Sequence, residues 1–295
     1  MLRPNNFVKI VPKGFSMPDK ITIPQIQKMT DAGEKISVIT AYDHPTAVLV
    51  DHAGIEMVLV GDSVGNNILG YPNTIPVTMD EMIHHTKCVH RGLQQALLVG
   101  DMPFMSYHST PKKAIENAGR FMKEAGADGV KLEGGEEMVE TIRKIVRVGI
   151  PVMGHIGYTP QRESQFGAQR VQGRDEATAK KILQDAHLLE EAGVFSIVLE
   201  AMPWRLAQLI SDQLRVPTIG IGAGPYCDGQ VLIITDVLGL TKSPFRFVKR
   251  YANLEEVIEQ AVRRYRDEVK NGKFPTIEEH SFKIQKGVMS TLKDK

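Results

Sequence analysis

Short apolar runs in this chain end in residues able to do chemistry: VLVGDS at Asp62, LLVGDM at Asp101, GVKLEGG at Lys131 and Glu133, VMGHIG at His155 and SIVLEAM at Glu200. Such runs read as β-strands, and a parallel α/β barrel gathers the C-terminal ends of its strands on one face, where active sites are built. Three carboxylates from successive strands, Asp62, Asp101 and Glu133, would repel one another in one cavity unless a cation sat among them. An all-oxygen donor set without cysteine favours a hard ion such as Mg²⁺, its shell completed by water and substrate oxygens. A single Asp after a strand can equally cap a helix. Three at successive strand ends weaken that alternative.

Lys131 lies two residues before Glu133 on one strand, so both side chains share a face. The ammonium can hold a substrate carboxylate or an enolate; an ordinary ion pair with Glu133 is the plainer reading. His155 can donate to a ketone oxygen or serve only in packing. Glu200 stands apart from the trio, on the sixth strand and in an apolar frame that disfavours its charged form, which suits a general base or a buried, paired structural acid. Together these groups suit a 2-oxo acid held through its carboxylate and ketone that loses a neighbouring C–H proton to give an ion-stabilised enolate. That product is a carbon nucleophile awaiting an electrophile.

The elements that must position these groups follow from patterning. Near-continuous apolar runs at 35–43, 56–63, 95–103, 128–135, 151–157, 195–202, 217–224 and 231–238 predict eight strands buried on both faces. Helical spacing occupies most of the gaps, as in TMDEMIHHTKCVHRG and TPKKAIENAGRFMKEAGA, and several of these segments end in Gly as a C-cap does. The alternation predicts a (β/α)₈ TIM barrel. ITIPQIQKMTDAGE precedes it as a short leading helix, and LEEVIEQAVRRYRDEVKNG follows as an amphipathic terminal helix. Only six residues separate Gly224 from Val231, too few for a helical crossover. Either the seventh helix is vestigial or the last two predicted strands are one element and a turn. The domain reading is an irregular arm over residues 1–20, one catalytic barrel domain with terminal helices over 21–282, and a basic tail over 283–295.

Composition narrows the function classes. The 295 residues are 42% hydrophobic, and 36 Lys and Arg against 35 Asp and Glu leave a net charge of +1, so nothing marks a nucleic-acid or membrane-surface binder. No run approaches a membrane span and no secretory signal opens the chain, which predicts a cytoplasmic protein acting on small molecules. Cys88 and Cys227 form neither a disulfide framework nor a zinc cluster. The glycines of GIGAG lack the spacing and following helix of a dinucleotide fingerprint. His84, His85 and His90 read as solvated or packing residues of a helix, and Met102, Met105 and Met122 as core filler.

Beyond single residues, ITAYD, LVGDSVG, PVT at 76–78, DMPF, NAGRFMKEAGADGVKLEGG, GHIGYTPQ, VQGR, VLEAMP, IGIGAGPYCDGQVLIITDVLG and EEHSF occur in order. From Ile21 to Phe282 the chain closely resembles the 3-methyl-2-oxobutanoate hydroxymethyltransferases, the ketopantoate-forming enzymes of pantothenate and coenzyme A synthesis. The resemblance implies a barrel of the phosphoenolpyruvate/pyruvate superfamily. It implies transfer of a one-carbon unit from 5,10-methylenetetrahydrofolate to 3-methyl-2-oxobutanoate, giving 2-dehydropantoate. One Mg²⁺ per subunit is implied on Asp62 and Asp101, with Glu133 completing its surroundings directly or through water. Substrate contacts fall to Asp62, Ser63, Asp101, Lys131 and His155, and Glu200 becomes the base for the C3 proton. Homo-oligomers are implied, typically decamers of paired pentamers, and the short Gly224–Val231 link is itself a family trait. The chain departs from the family in a longer arm, in MSYHSTPKK and in FGAQR. The alternatives are a lyase or mutase of the same superfamily, which would place a reactive Cys in a mobile loop, and a non-catalytic metabolite-binding barrel, which would have lost Glu200 or a metal aspartate.

Overall fold

The computed structural model of the chain describes residues 19–166, 170–243 and 245–293. All but the last two residues of the expected arm lie outside this set, as do residues 167–169 of the FGAQR loop and residues 294–295 of the tail.

Eight parallel strands close into a barrel in chain order: β1 (Ile36–Thr40), β2 (Met57–Val60), β3 (Leu97–Asp101), β4 (Gly129–Lys131), β5 (Val152–Gly157), β6 (Ser196–Glu200), β7 (Thr218–Ile221) and β8 (Gly229–Leu232). In β2, β3 and β6 every residue is buried, because the barrel interior takes one face and the surrounding helices the other. The helices are α1 (Ile23–Asp31), α2 (His44–His52), α3 (Val64–Asn67), α4 (Met79–His90), α5 (Pro111–Ala125), α6 (Val139–Arg147), α7 (Glu163–Phe166), α8 (Glu176–Ala192), α9 (Trp204–Gln213), α10 (Ile234–Val237), α11 (Leu254–Lys270), α12 (Ile277–His280) and α13 (Val288–Lys293).

Local chemistry sets the helix boundaries. Thr78 and Glu81 form a reciprocal capping box on α4, while Asp43, Thr110 and Asp175 accept backbone N–H groups at the starts of α2, α5 and α8. Gly126 and Gly193 end α5 and α8 in the left-handed conformation. Phe121 of α5 packs directly over Gly100, where a side chain on β3 would collide with its ring. Inside the barrel Val38, Leu59, Val99, Met153, Val198 and Val231 share one buried cluster, and Ile26 of α1 joins it beside Ile36, Met57 and Leu97 at the strand starts. The leading helix thus plugs the N-terminal end, leaving the C-terminal end to hold chemistry.

Two expectations are corrected. The eighth strand starts at Gly229 and stops at Leu232, and the second half of VLIITDVL is the helical turn α10. Pairing with β1 ends at Ile39 opposite Leu232, and the Ile234 N–H then donates to Thr40 Oγ1 at 3.0 Å, which takes the chain out of the sheet. A short apolar run does not distinguish a strand from a buried helical turn. Met105 is also no core filler: it is exposed, with φ of 62°, whereas Met102 is fully buried. Between β7 and β8 there is no helix, and Asp228 closes the link by accepting from the Thr218 backbone N–H at 2.8 Å and its hydroxyl at 2.9 Å.

The chain packs as two units. One contains the barrel, running to Ile234 and including 245–248; the other comprises 235–244 and the residues from 249 onward, with α11, α12 and α13. Within the second unit the backbone N–H groups of Tyr251 and Leu254 donate to Val237 and Leu238 at 2.9 Å each, and the Phe274 ring sits edge-on to Tyr265 and His280.

Candidate active site

The C-terminal end of the barrel encloses a cavity of about 230 Å³ whose walls include Asp62, Ser63, Asp101, Lys131, Glu133, His155 and Glu200. All seven residues expected from the sequence therefore reach one space, delivered by β2 through β6 or by the residues just past them.

Register decides the first pairing. Asp101 and Lys131 are direct neighbours across β3 and β4, and Lys131 Nζ donates to both Asp101 oxygens at 2.7 Å, with both side chains buried. The lysine thus pairs with Asp101, not with Glu133 as proximity in sequence suggests. The Asp62 backbone N–H approaches Asp101 Oδ2 at 3.3 Å, bringing the ends of β2 and β3 together. Ser63 Oγ lies 2.8 Å from the Tyr42 hydroxyl at the rim. His85, on α4, places Nδ1 2.7 Å from the Tyr42 carbonyl, a packing role.

His155 stands between two carboxylates. Its Nε2 is 3.1 Å from Glu200 Oε2 and its Nδ1 is 3.5 Å from Glu133 Oε1, both too poorly aligned for full hydrogen bonds. Because the glutamates and the histidine come from three consecutive strands, Glu200 is separated from Glu133 by one imidazole and not by the width of the barrel. Ala201, just past Glu200, holds φ of 46°, a left-handed backbone that costs on the order of 1 kcal/mol in a non-glycine residue and fixes the direction in which β6 ends. The Glu200 carbonyl accepts the Tyr158 N–H at 2.9 Å, and Gly157 passes it so closely that a side chain there would clash.

Two residues without an expected role complete the set. Gln161, in the 3₁₀ turn 160–162, donates through Nε2 to Asp62 Oδ2 at 2.9 Å and to the Met102 carbonyl at 3.0 Å, and its backbone N–H donates to Glu133 Oε2 at 3.1 Å. Tyr107 donates its hydroxyl to Gln161 Oε1 at 2.6 Å and accepts the Glu133 N–H at 3.1 Å. Gln161 closes the GHIGYTPQ motif, which is the only signal the sequence offers for it; Tyr107, in a loop, carries none.

Charge is unbalanced here. Among the described residues that line the cavity, Asp62, Asp101, Glu133 and Glu200 face Lys131 and His155 as cations. Burial, followed by repulsion from Asp101 and Glu133, pushes the Asp62 carboxyl well above its ordinary range. Burial also raises Asp101, although Lys131 opposes it. Burial works against ionised Glu133 too, but His155, Lys131 and the Gln161 N–H outweigh it and hold that carboxyl low. For His155, burial and Lys131 disfavour charge, yet the two flanking glutamates prevail and raise it to about 9. Lys131 is disfavoured by burial but kept firmly charged by Asp101, Glu133 and Asp62. Tyr107 is raised well above its usual value, first by burial and then by Glu133, so it stays a neutral donor.

These observations test the fit of a cation. Two crowded aspartates whose own charge is resisted, an excess of two negative groups and hard oxygen donors are what a divalent ion such as Mg²⁺ would relieve. Among the described residues no three His, Cys, Asp or Glu side chains are gathered tightly enough to hold an ion unaided. Fewer protein ligands, completed by water and substrate oxygens, suit Mg²⁺.

Residues 20–277 match the family model described as ketopantoate hydroxymethyltransferase. The chain belongs to that family. Among curated members, the 3-methyl-2-oxobutanoate hydroxymethyltransferase of Moorella thermoacetica is 57% identical over 90% of this chain and 98% of its own length. That of Syntrophomonas wolfei is 54% identical over 92% and 99%. Solved structures of like fold include a phosphonopyruvate hydrolase, 12% identical with a TM-score of 0.58 over 93% of this chain and 96% of that one. Another is 2,3-dimethylmalate lyase, a member of the PEP mutase/isocitrate lyase superfamily, 13% identical with a TM-score of 0.57 over 94% and 98%. The chain thus shares the barrel fold of these structures. Among the described residues no helix is long and apolar enough to cross a membrane.

Proposed function

We propose that this ketopantoate hydroxymethyltransferase family member transfers a one-carbon unit from 5,10-methylenetetrahydrofolate to 3-methyl-2-oxobutanoate, giving 2-dehydropantoate in the cytoplasm. The observation that carries the reading is a cation-demanding corner, Asp62, Asp101 and Glu133, sharing one cavity with the Lys131 and His155 cations and with Glu200. Asp62 and Asp101 would hold one Mg²⁺, with Glu133 reaching it directly or through water, and the bound ion would supply Lewis-acid polarisation of the ketone and carboxylate oxygens.

Lys131 and the Ser63 hydroxyl meet the substrate carboxylate, while Leu59, Val198 and Val231 give its isopropyl group an apolar wall. His155, lining the cavity beside Glu200, donates to the ketone oxygen, where negative charge gathers as the C3 proton leaves. Glu200 accepts that proton, and the electron pair of the broken C–H bond forms the C2–C3 double bond of the enolate. Water breaks the donor's two methylene C–N bonds, releasing tetrahydrofolate and formaldehyde, and C3 then bonds to the formaldehyde carbon, whose oxygen takes up a proton and becomes the new hydroxyl. A superfamily lyase with a loop cysteine is disfavoured, since Cys88 lies on α4 and Cys227 is buried, its thiol pushed up by that burial. Methylene-folate-dependent formation of 2-dehydropantoate by the purified protein, lost with chelator and restored by Mg²⁺, is the expected result; no product beside an active transferase control would sink the reading.

We also propose that copies of the chain associate, as decamers of the family do. Ile258, Val262, Tyr265 and Val269 recur at helical spacing on α11, a helix with no buried residue, and each is close to half exposed or more. Val262→Asp is expected to shift the assembly to smaller species in light scattering, and an unchanged mass would remove α11 from the interface.

A further inference from the structure

We propose that Gln161, oriented by Tyr107, is a positioning residue that presents Asp62 and Glu133 to the cation. The inference rests on the metal reading above and adds to it residues that were given no role. Gln161 holds one oxygen of each of two mutually repelling carboxylates: its side chain takes Asp62 Oδ2 at 2.9 Å and its backbone takes Glu133 Oε2 at 3.1 Å. Glu133 Oε1 is buried and has no hydrogen-bond partner among the described residues, and Asp62 lines the cavity.

The amide has only one workable orientation. Met102 offers a carbonyl, which can only accept, so the nitrogen must face it, at 3.0 Å. Tyr107 already accepts the Glu133 N–H at 3.1 Å, so its own hydrogen goes to Gln161 Oε1 at 2.6 Å. The result is a directed chain, from the Glu133 N–H through the Tyr107 hydroxyl and the Gln161 amide to Asp62, in which each donor polarises the next. Tyr107 is 0%, Glu133 1%, Gln161 2% and Asp62 4% exposed, so bulk solvent does not compete for these bonds. Without the Tyr107 hydroxyl the amide loses one of the two contacts that keep its oxygen away from the Asp62 carboxylate. Groups that orient metal-binding carboxylates in this way typically cost ~10–100-fold in metal affinity when removed.

The test is Mn²⁺ titration without substrates, followed through the spin-resonance signal of the free ion, on folded protein checked by circular dichroism. Gln161→Met is expected to weaken Mn²⁺ binding ~10–100-fold. Gln161→Leu removes the donors to Asp62 without adding charge, so it should weaken binding as well. Tyr107→Phe should weaken binding in the wild-type background but by less when added to Gln161→Met, because one of the phenol's two bonds acts through the amide. A merely structural role would lower the melting temperature and leave Mn²⁺ affinity unmoved. Unchanged affinity in both Gln161 variants, or strictly additive losses with Tyr107→Phe, would overturn the inference. If wild-type protein itself fails to take up Mn²⁺, the metal reading falls first and the inference with it.

Discussion

The barrel mouth and helix α11 use the same residue types to opposite ends. On α11, Glu259 pairs with Arg263, Arg266 Nη2 lies 2.7 Å from Asp267 Oδ1 and Arg264 Nε lies 3.9 Å from Glu268 Oε1, all on largely exposed side chains. Water screens each pair, so they hold the helix soluble and little more. At the barrel mouth Lys131 and Asp101 meet at the same 2.7 Å but are 5% and 2% exposed, among further carboxylates. There little solvent moderates the charges, and their surplus becomes affinity for a cation, for an anionic oxo acid and for a proton. Burial, more than residue identity, separates a solubilising surface from a reactive one.

The largest expected effect falls on Glu200. Glu200→Gln preserves shape, and metal and oxo acid binding should persist, but the C3 proton loses its acceptor. Hydrogen–deuterium exchange at C3 should drop ~10²–10⁴-fold, the usual worth of a general base. Normal exchange in that variant would exclude Glu200 as the base and shift attention to the proton's other neighbours in the cavity. Next comes the buried pair. Lys131→Met removes the cation that holds both Asp101 oxygens, and stability should fall by about 3–5 kcal/mol in denaturant unfolding. Asp101→Ala removes one of the crowded carboxylates and relieves repulsion on Asp62, so it should cost less stability while abolishing Mg²⁺-dependent oxo acid binding in calorimetry. Equal stability losses in the two variants would show that the carboxylates are not in surplus.

The barrel was legible because strands covered on both faces read as unbroken apolar runs, and SIVLE or LLVGD needs no structure to be recognised. Its last strand was not, because IITDV is apolar enough for either a strand or the turn α10, and only the end of pairing with β1 decides between them. In the site, strand-end residues were legible singly and their partners were not. The bond between Lys131 and Asp101 depends on the β3–β4 register, and His155 meets both glutamates because β4, β5 and β6 are consecutive in the barrel. Tyr107 carried no signal and Gln161 only its place at the end of GHIGYTPQ: one lies in a loop and the other in a 3₁₀ turn, six and sixty residues along the chain from Asp101, and their convergence is a product of closure. Periodicity reports which face a residue takes, whereas partners across a barrel are set by topology.

The smallest effect sharpens the comparison most. Arg263 lies beside Val262 on α11, is paired with Glu259 and is well exposed. Arg263→Ala removes an ion pair that water already screens, so its unfolding midpoint should match that of the wild type within error at physiological salt. At low salt a slight loss should emerge, because screening weakens, whereas the deficit of Lys131→Met should persist at both ionic strengths, since its charges are shielded from salt by burial. Midpoints measured for both variants at the two salt levels give the decisive pattern. If the Lys131 deficit also shrank with added salt, the barrel mouth would be wet enough to behave like α11, and its charge surplus could not hold a cation as tightly as its burial implies.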